Sequence, residues 1–76
     1  MSEILLVEDS RIQAIAYGRL LEQAGHEVRY ASSAEEAFQA CYETFPDLVI
    51  LDQYLGDHSG LEVCRQIRRG KATQRL

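Results

Sequence analysis

Three short groups of hydrophobic residues along this chain predict β-strands. Residues 4–7 (ILLV) and 48–51 (LVIL) are unbroken apolar runs, which are typical of strands buried on both faces of a parallel sheet. Residues 26–31 instead alternate between apolar and polar positions. Alternation indicates that one face meets water, so we expect this second strand to lie at an edge of the sheet.

Helical segments follow each of the three strands. The first covers residues 11–24, with Ser10 at its N-cap and Gly25 at its end. The second and third begin with Ser-x-x-Glu capping spacing at Ser33 and Ser59. Apolar positions at helical spacing predict the buried faces of the three helices in turn: Ile12, Ile15, Ala16, Leu20 and Ala24; Ala34, Ala37, Phe38, Cys41, Tyr42 and Phe45; Leu61, Cys64 and Ile67.

The order of elements is therefore βαβαβα within one small α/β domain. Helical crossovers make the sheet parallel and the connections right-handed. The first and third strands are wholly apolar and belong inside, whereas the alternating second strand lies outside. This predicts the strand order 2-1-3, which begins the flavodoxin-like arrangement of a doubly wound sheet.

Acidic residues come directly after both apolar strands. Glu8 and Asp9 follow residues 4–7, and Asp52 follows residues 48–51. If the two strands are neighbours, their carboxyl ends lie about 5 Å apart and the three carboxylates converge. Like charges at that distance repel one another and favour a bound cation. An all-oxygen ligand set suits a hard ion such as Mg²⁺.

The segments LLVEDS and DLVILDQYLGDHSGLEVCRQIR resemble the receiver domain of two-component response regulators. The resemblance implies that Asp52 is the phosphoacceptor, which takes a phosphoryl group from a histidine kinase or phosphotransfer protein. It implies that Glu8 and Asp9 are the acidic pair that binds Mg²⁺ together with Asp52. The backbone carbonyl of Tyr54 resembles the third metal ligand of the family.

Two positions after Asp52 depart from the family pattern. Gly56 stands where receivers usually have Pro, which loosens the loop, and His58 stands where an apolar residue is common. A receiver is also longer than this chain, so we expect residues 1–76 to represent its first three βα units, with the sequence stopping before a fourth strand.

The resemblance also concerns residues beyond those three units. Receivers use a Ser or Thr after the fourth strand and a Lys after the fifth, and neither Thr73 nor Lys71 matches them by position. We therefore expect the 76-residue chain to be an impaired phosphoacceptor. Whether it counts as an enzyme stays open, since at most it catalyses its own aspartyl phosphorylation and dephosphorylation.

Composition narrows the classes of partner. The net charge of −4 argues against direct nucleic-acid binding, and no apolar run approaches the roughly 20 residues that span a bilayer. The first three residues lack the basic start of a signal peptide. Cys41 and Cys64 have no metal-type spacing and are interpreted as reduced core thiols, so we expect a cytoplasmic protein.

Other functions remain open on the sequence alone. A flavodoxin-type module would bind a flavin phosphate at the loop after the first strand, but here Glu8 and Asp9 repel phosphate. A phosphatase-type hydrolase with an aspartyl nucleophile would have an Asp-x-Asp motif in that loop, and this chain lacks the motif. The chain could also be a structural half-domain without activity.

In a whole receiver the third strand lies between the first and a fourth, so without the fourth strand we expect one edge of the third strand to be unpaired. Residues 48–51 contain no Lys or Pro that would discourage pairing with another chain. We expect a homodimer that forms through this exposed strand or through the uncovered core beside it.

Overall fold

A computed structural model describes residues 2–52, 54–55 and 58–74. The elements run β1 (Glu3–Val7), α1 (Arg11–Gln23), β2 (Glu27–Ala31), α2 (Ala34–Glu43), β3 (Leu48–Leu51), β4 (Tyr54–Leu55), β5 (His58–Ser59) and α3 (Gly60–Gln74). The predicted alternation of three main strands and three helices is confirmed. The sequence interpretation missed the short strands β4 and β5.

The three main strands form one parallel sheet in the order β2-β1-β3, as predicted. In β1, Val7 is in register with Ala31 of β2 on one side and with Leu51 of β3 on the other. Four of its five residues are buried, because both neighbouring strands and the helices cover it. Because the strands are parallel, the carboxyl ends of all three lie at the same end of the sheet.

The main hydrophobic core lies between the sheet and helices α2 and α3. Its buried members are Leu5, Val7, Ala31, Ala34, Ala37, Cys41, Leu55, Val63 and Ile67. Most of the α2 stripe is confirmed, with Phe38 and Phe45 partly buried against the core. Tyr42 and Leu61 were predicted to be buried and are instead exposed. Both cysteines are free thiols; Cys41 is buried, which raises its pKa, whereas Cys64, predicted to be a core thiol, is only partly buried.

The predicted buried face of α1 is wrong. Ile12 is 82% exposed and Leu20 is 64% exposed, whereas Gly18 is buried. A Cβ atom on Gly18 would overlap the Tyr30 hydroxyl and lie 2.8 Å from Cζ of the same ring. The least exposed residues of α1 are instead Ala14, Gly18 and Leu21, so the helix lies close to β2 at Gly18.

Burial of β3 also differs from the prediction. Leu48 is 52% exposed, and the other three residues of the strand are only partly buried. The physical reason is the strand order, since within the described ranges β3 pairs with β1 alone. An apolar run does not distinguish a strand with two neighbours from a strand with one.

Capping interactions fix the helix starts. The Ser33 hydroxyl accepts the Glu36 N–H at 3.1 Å, and the Ser59 hydroxyl accepts the Glu62 N–H at 3.2 Å. The Glu36 carboxylate reaches back to Ser32, whose N–H and hydroxyl both donate to it at 3.0 Å. Gly25 has a φ of 94° after α1, which is the left-handed conformation predicted for it.

Candidate metal centre

Backbone hydrogen bonds continue past the strand ends and hold the acidic residues in place. The N–H of Glu8 donates to the carbonyl of Ala31 at 2.9 Å, one residue beyond β1. The N–H of Asp52 donates to the carbonyl of Val7 at 3.2 Å, one residue beyond β3. Both carboxylates therefore start from backbone positions that the sheet itself fixes.

The structure brings Glu8, Asp9 and Asp52 together. One carboxylate oxygen from each lies within 4.8 Å of the other two. Glu8 is buried, Asp52 is partly buried and Asp9 is exposed. The cluster therefore lies at the carboxyl end of the strands and is open to solvent on one side. Carboxylate oxygens at this spacing are the donor set that Mg²⁺ and other hard cations use.

Burial and the neighbouring carboxylates shift the pKa of Glu8. Burial raises the pKa of Glu8 above its usual value of 4.5, and the nearby charges of Asp52 and Asp9 raise it further. The Ser10 N–H, which donates to Glu8 at 3.1 Å, opposes this increase in pKa. A divalent cation would relieve the repulsion, because its positive charge would attract all three carboxylates.

Helix α1 begins directly at this cluster. The Ser10 side chain is its N-cap and accepts the Gln13 N–H at 3.4 Å. The tight spacing of Glu8, Asp9 and Ser10 thus serves two purposes, since the acids end the strand and the serine starts the helix. The positive end of the α1 dipole therefore comes directly after the acidic pair in the chain, where it attracts negative charge.

Tyr54, the fourth predicted site residue, lies in β4, two residues after Asp52. Its backbone is therefore part of the segment that leaves the cluster. The proposed role of its carbonyl as a metal ligand remains a prediction. Gly56 lies outside the described residues, as does the side chain of His58, so neither departure from the family pattern is tested.

Sequence reasoning missed two side chains beside Asp52. A cavity of about 200 Å³ is lined by Asp52, by Gln13 and Tyr17 of α1 and by Ile50 of β3. Their i, i+4 spacing after the Ser10 cap places Gln13 and Tyr17 on the same side of α1. The spacing shows that the two residues share one side of the helix, but only the packing of α1 across the sheet brings them beside Asp52.

A parallel sheet in the order 2-1-3 with an acidic cluster at its carboxyl edge defines a flavodoxin-like protein with a candidate cation site. The family model described as "Response regulator receiver domain" matches residues 4–76. The chain therefore belongs to the response regulator receiver domain family of two-component signal transduction. The suspected resemblance is confirmed.

Curated relatives agree with this assignment. The chain is 41% identical over 69 residues to transcriptional regulatory protein AfsQ1 of Streptomyces coelicolor, covering 91% of this chain and 31% of that protein. It is 42% identical over 67 residues to sensor histidine kinase AruS of Pseudomonas aeruginosa, covering 88% of this chain and 7% of the relative. The chain thus spans about a third or less of these proteins.

Solved structures show the same fold. The N-terminal domain of a response regulator receiver protein from Methanoculleus marisnigri JR1 aligns with a TM-score of 0.84 at 34% identity, covering 90% of this chain and 55% of that one. A LuxR-family two-component response regulator from Aurantimonas sp. SI85-9A1 aligns with a TM-score of 0.89 at 36% identity, covering 96% and 54%. Within the described part of the chain, no helix combines the length and apolar character that crossing a membrane requires.

Proposed function

We propose that this chain is a phosphoacceptor module in which Asp52 takes a phosphoryl group from a phosphohistidine of a histidine kinase or phosphotransfer protein. The observation that carries the proposal is the convergence of the Glu8, Asp9 and Asp52 carboxylates within 4.8 Å. Membership of the receiver family supports it, because the family provides the reaction that such a cluster suits.

Glu8, Asp9 and Asp52 fit a Mg²⁺ ion as oxygen ligands, and the Tyr54 carbonyl completes the proposed set. The raised pKa of Glu8 supports this fit, since it reflects burial and repulsion that a cation would offset. When bound, Mg²⁺ would withdraw charge from the phosphoryl oxygens and neutralise the acidic cluster. Asp9 is exposed and Asp52 is partly buried, so a phosphodonor can approach them from solvent.

The reaction itself is assigned to the Asp52 carboxylate. One of its oxygens attacks phosphorus in line, so an O–P bond forms while the N–P bond of the donor breaks. The imidazole nitrogen of the donor leaves with the bonding electron pair. The Asp52 N–H, bonded to Val7, keeps the nucleophile at the end of β3 while this happens.

We infer that residues 1–76 correspond to the first three βα units of a receiver. The family's Ser or Thr and its Lys follow later strands, so a polypeptide of these 76 residues is expected to react slowly. Loss of one cationic clamp on a transferred phosphoryl group typically costs orders of magnitude in rate. A cytoplasmic location is proposed as well, because both cysteines are free thiols.

The outer edge of β3 supports the further proposal that the 76-residue chain forms a homodimer. Leu48 is 52% exposed there, and a cavity of about 220 Å³ between β3 and α3 is lined by Val49, Leu51 and Ile67. Pairing two such edges would bury apolar surface and satisfy open backbone groups.

Mass spectrometry after incubation with a small phosphodonor and Mg²⁺ tests the proposed reaction. We expect slow addition of one phosphoryl group. The addition should be lost in Asp52→Ala and should persist in Asp47→Ala, which removes a matched acid at the opposite end of the strands. Addition that is equal in both variants would contradict the assignment of Asp52.

A further inference from the structure

Leu55 follows Asp52 by three residues in the chain, and its side chain is buried. It is 3% exposed and belongs to the core between the sheet and helices α2 and α3, together with Val63 and Ile67. A leucine three residues after the proposed nucleophile thus anchors the site loop in the same core that holds the helices.

The segment that leaves Asp52 is held at both ends. At its start, the Asp52 N–H donates to Val7 at 3.2 Å. At its end, β4 pairs antiparallel with β5, with Leu55 in register with His58. The hairpin then continues into the N-cap of α3, where the Ser59 hydroxyl accepts a backbone N–H. Only two residues separate Asp52 from the buried Leu55.

The peptide bond between Tyr54 and Leu55 links this anchor to the metal centre. The Tyr54 carbonyl and the Leu55 nitrogen share one rigid plane, so the position of Leu55 restricts where the carbonyl can point. Burial of the Leu55 side chain leaves that plane little freedom to rotate. The carbonyl proposed as a metal ligand therefore depends on a side chain that itself bears no ligand atom.

We propose that Leu55 is a positioning residue for the metal centre, whose burial holds the Tyr54 carbonyl beside the carboxylate cluster. The inference rests on the proposed function, because it requires a divalent cation at Glu8, Asp9 and Asp52. It goes further by assigning part of the metal affinity to an apolar contact outside the ligand set. Groups that orient metal ligands typically contribute about 10- to 100-fold in affinity.

The test compares two substitutions that each shorten a side chain of the same hydrophobic core. Leu55→Ala and Ile67→Ala each remove a branched aliphatic side chain from the same cluster, but only Leu55 adjoins the Tyr54 carbonyl. Free Mn²⁺ is measured by electron paramagnetic resonance during titration, and affinities refer to the folded fraction determined by circular dichroism. We expect Leu55→Ala to weaken Mn²⁺ binding about 10-fold and Ile67→Ala to change it less than about 2-fold.

Leu55→Met keeps the anchor at nearly constant volume and is expected to preserve the Mn²⁺ affinity. If Leu55→Ala does not fold, Leu55→Val serves as the milder truncation, with Ile67→Val as its control. Equal losses at both positions, or none at Leu55, would overturn the positioning role. Failure of the unmodified chain to bind Mn²⁺, or binding that Asp52→Asn leaves unchanged, would instead overturn the proposed function and this inference with it.

Discussion

The backbone N–H of Asp52 donates to the carbonyl of Val7, so the sheet ladder extends one residue past β3. This bond places the Asp52 carboxylate next to the residues that follow Val7, which are Glu8 and Asp9. The acidic cluster is thus a consequence of strand register, and the register in turn is set by pairs such as Val7 with Leu51.

The buried carboxylate of Glu8 predicts a pH-dependent stability in metal-free buffer. Its pKa lies above 4.5 in the folded chain, so folding favours the protonated form. The resulting stabilisation is complete below the unfolded value of 4.5 and is lost as pH rises through the raised pKa. Urea unfolding at a series of pH values with a chelator should therefore show stability falling across that window.

Glu8→Gln should flatten this dependence, because the amide does not titrate. Glu43→Gln, at an exposed position in α2, is the matched control and should leave the slope as it is. The same slope in Glu8→Gln as in the unmodified chain would show that Glu8 is not the group responsible.

The contact between Gly18 and Tyr30 predicts strong coupling between the two positions. Replacing Gly by Ala inside a helix normally adds about 1 kcal/mol of stability. Here the new Cβ would meet the Tyr30 ring, so Gly18→Ala should gain little in the unmodified chain. In a Tyr30→Ser background the gain of about 1 kcal/mol should return. A double-mutant cycle by urea unfolding measures this difference, and a coupling near zero would contradict the contact.

Arg29 joins β2 to the end of α2 and to β1. Its guanidinium donates to the carbonyls of Ala40 at 3.2 Å and Thr44 at 2.6 Å, and it lies 3.0 Å from a Glu3 carboxylate oxygen. Hydrogen bonds to charged groups contribute about 1.5–3 kcal/mol, so Arg29→Met should lower the free energy of unfolding by roughly that amount.

The control for Arg29 is Arg65→Met, which changes an exposed arginine on α3 and should fall within about 0.5 kcal/mol of the unmodified chain. Arg29→Lys should recover only part of the loss, since an ammonium group lacks the planar fork that reaches several acceptors. Full recovery by lysine would indicate that charge alone matters at this position.

Self-association through β3 predicts that one added charge weakens the dimer. Leu48→Lys places a cation at an edge position whose side chain is already 52% exposed, so the monomer fold should survive. Leu61→Lys, at a 64% exposed position on α3, is the control. Light scattering across a dilution series of the 76-residue chain should show a dimer that only Leu48→Lys disrupts; a folded monomer at every concentration would refute the proposal.

The sequence was sufficient to predict the alternating elements, the strand order and the carboxylate cluster, because each depends on short-range patterns. Continuous apolar runs identified β1 and β3, and capping spacing identified the starts of α2 and α3. The orientation of α1 was not predictable in the same way. Its apolar stripe suggested burial of Ile12 and Leu20, but Gly18 is the buried residue of this helix and lies against the Tyr30 ring.

The hairpin after Asp52 was missed for a related reason. Two-residue strands such as β4 and β5 have no periodicity that could be read from the sequence. Gln13 and Tyr17 beside Asp52 were missed because their significance depends on how α1 packs across the sheet, which helical spacing alone does not determine. The first omission thus comes from elements too short to show a pattern, and the second comes from tertiary packing.

Paramagnetic broadening by Mn²⁺ tests the central claim that the carboxylates of two strand ends form one cation site. Titration of isotope-labelled chain should first broaden the amide signals of Glu8, Asp9 and Asp52, and Asp52→Asn should weaken the effect. The internal control is provided by the acids at the amino ends of the same strands, which are Glu3, Glu27 and Asp47. Equal broadening at both ends of the strands would contradict the claim that Glu8, Asp9 and Asp52 form one cation site.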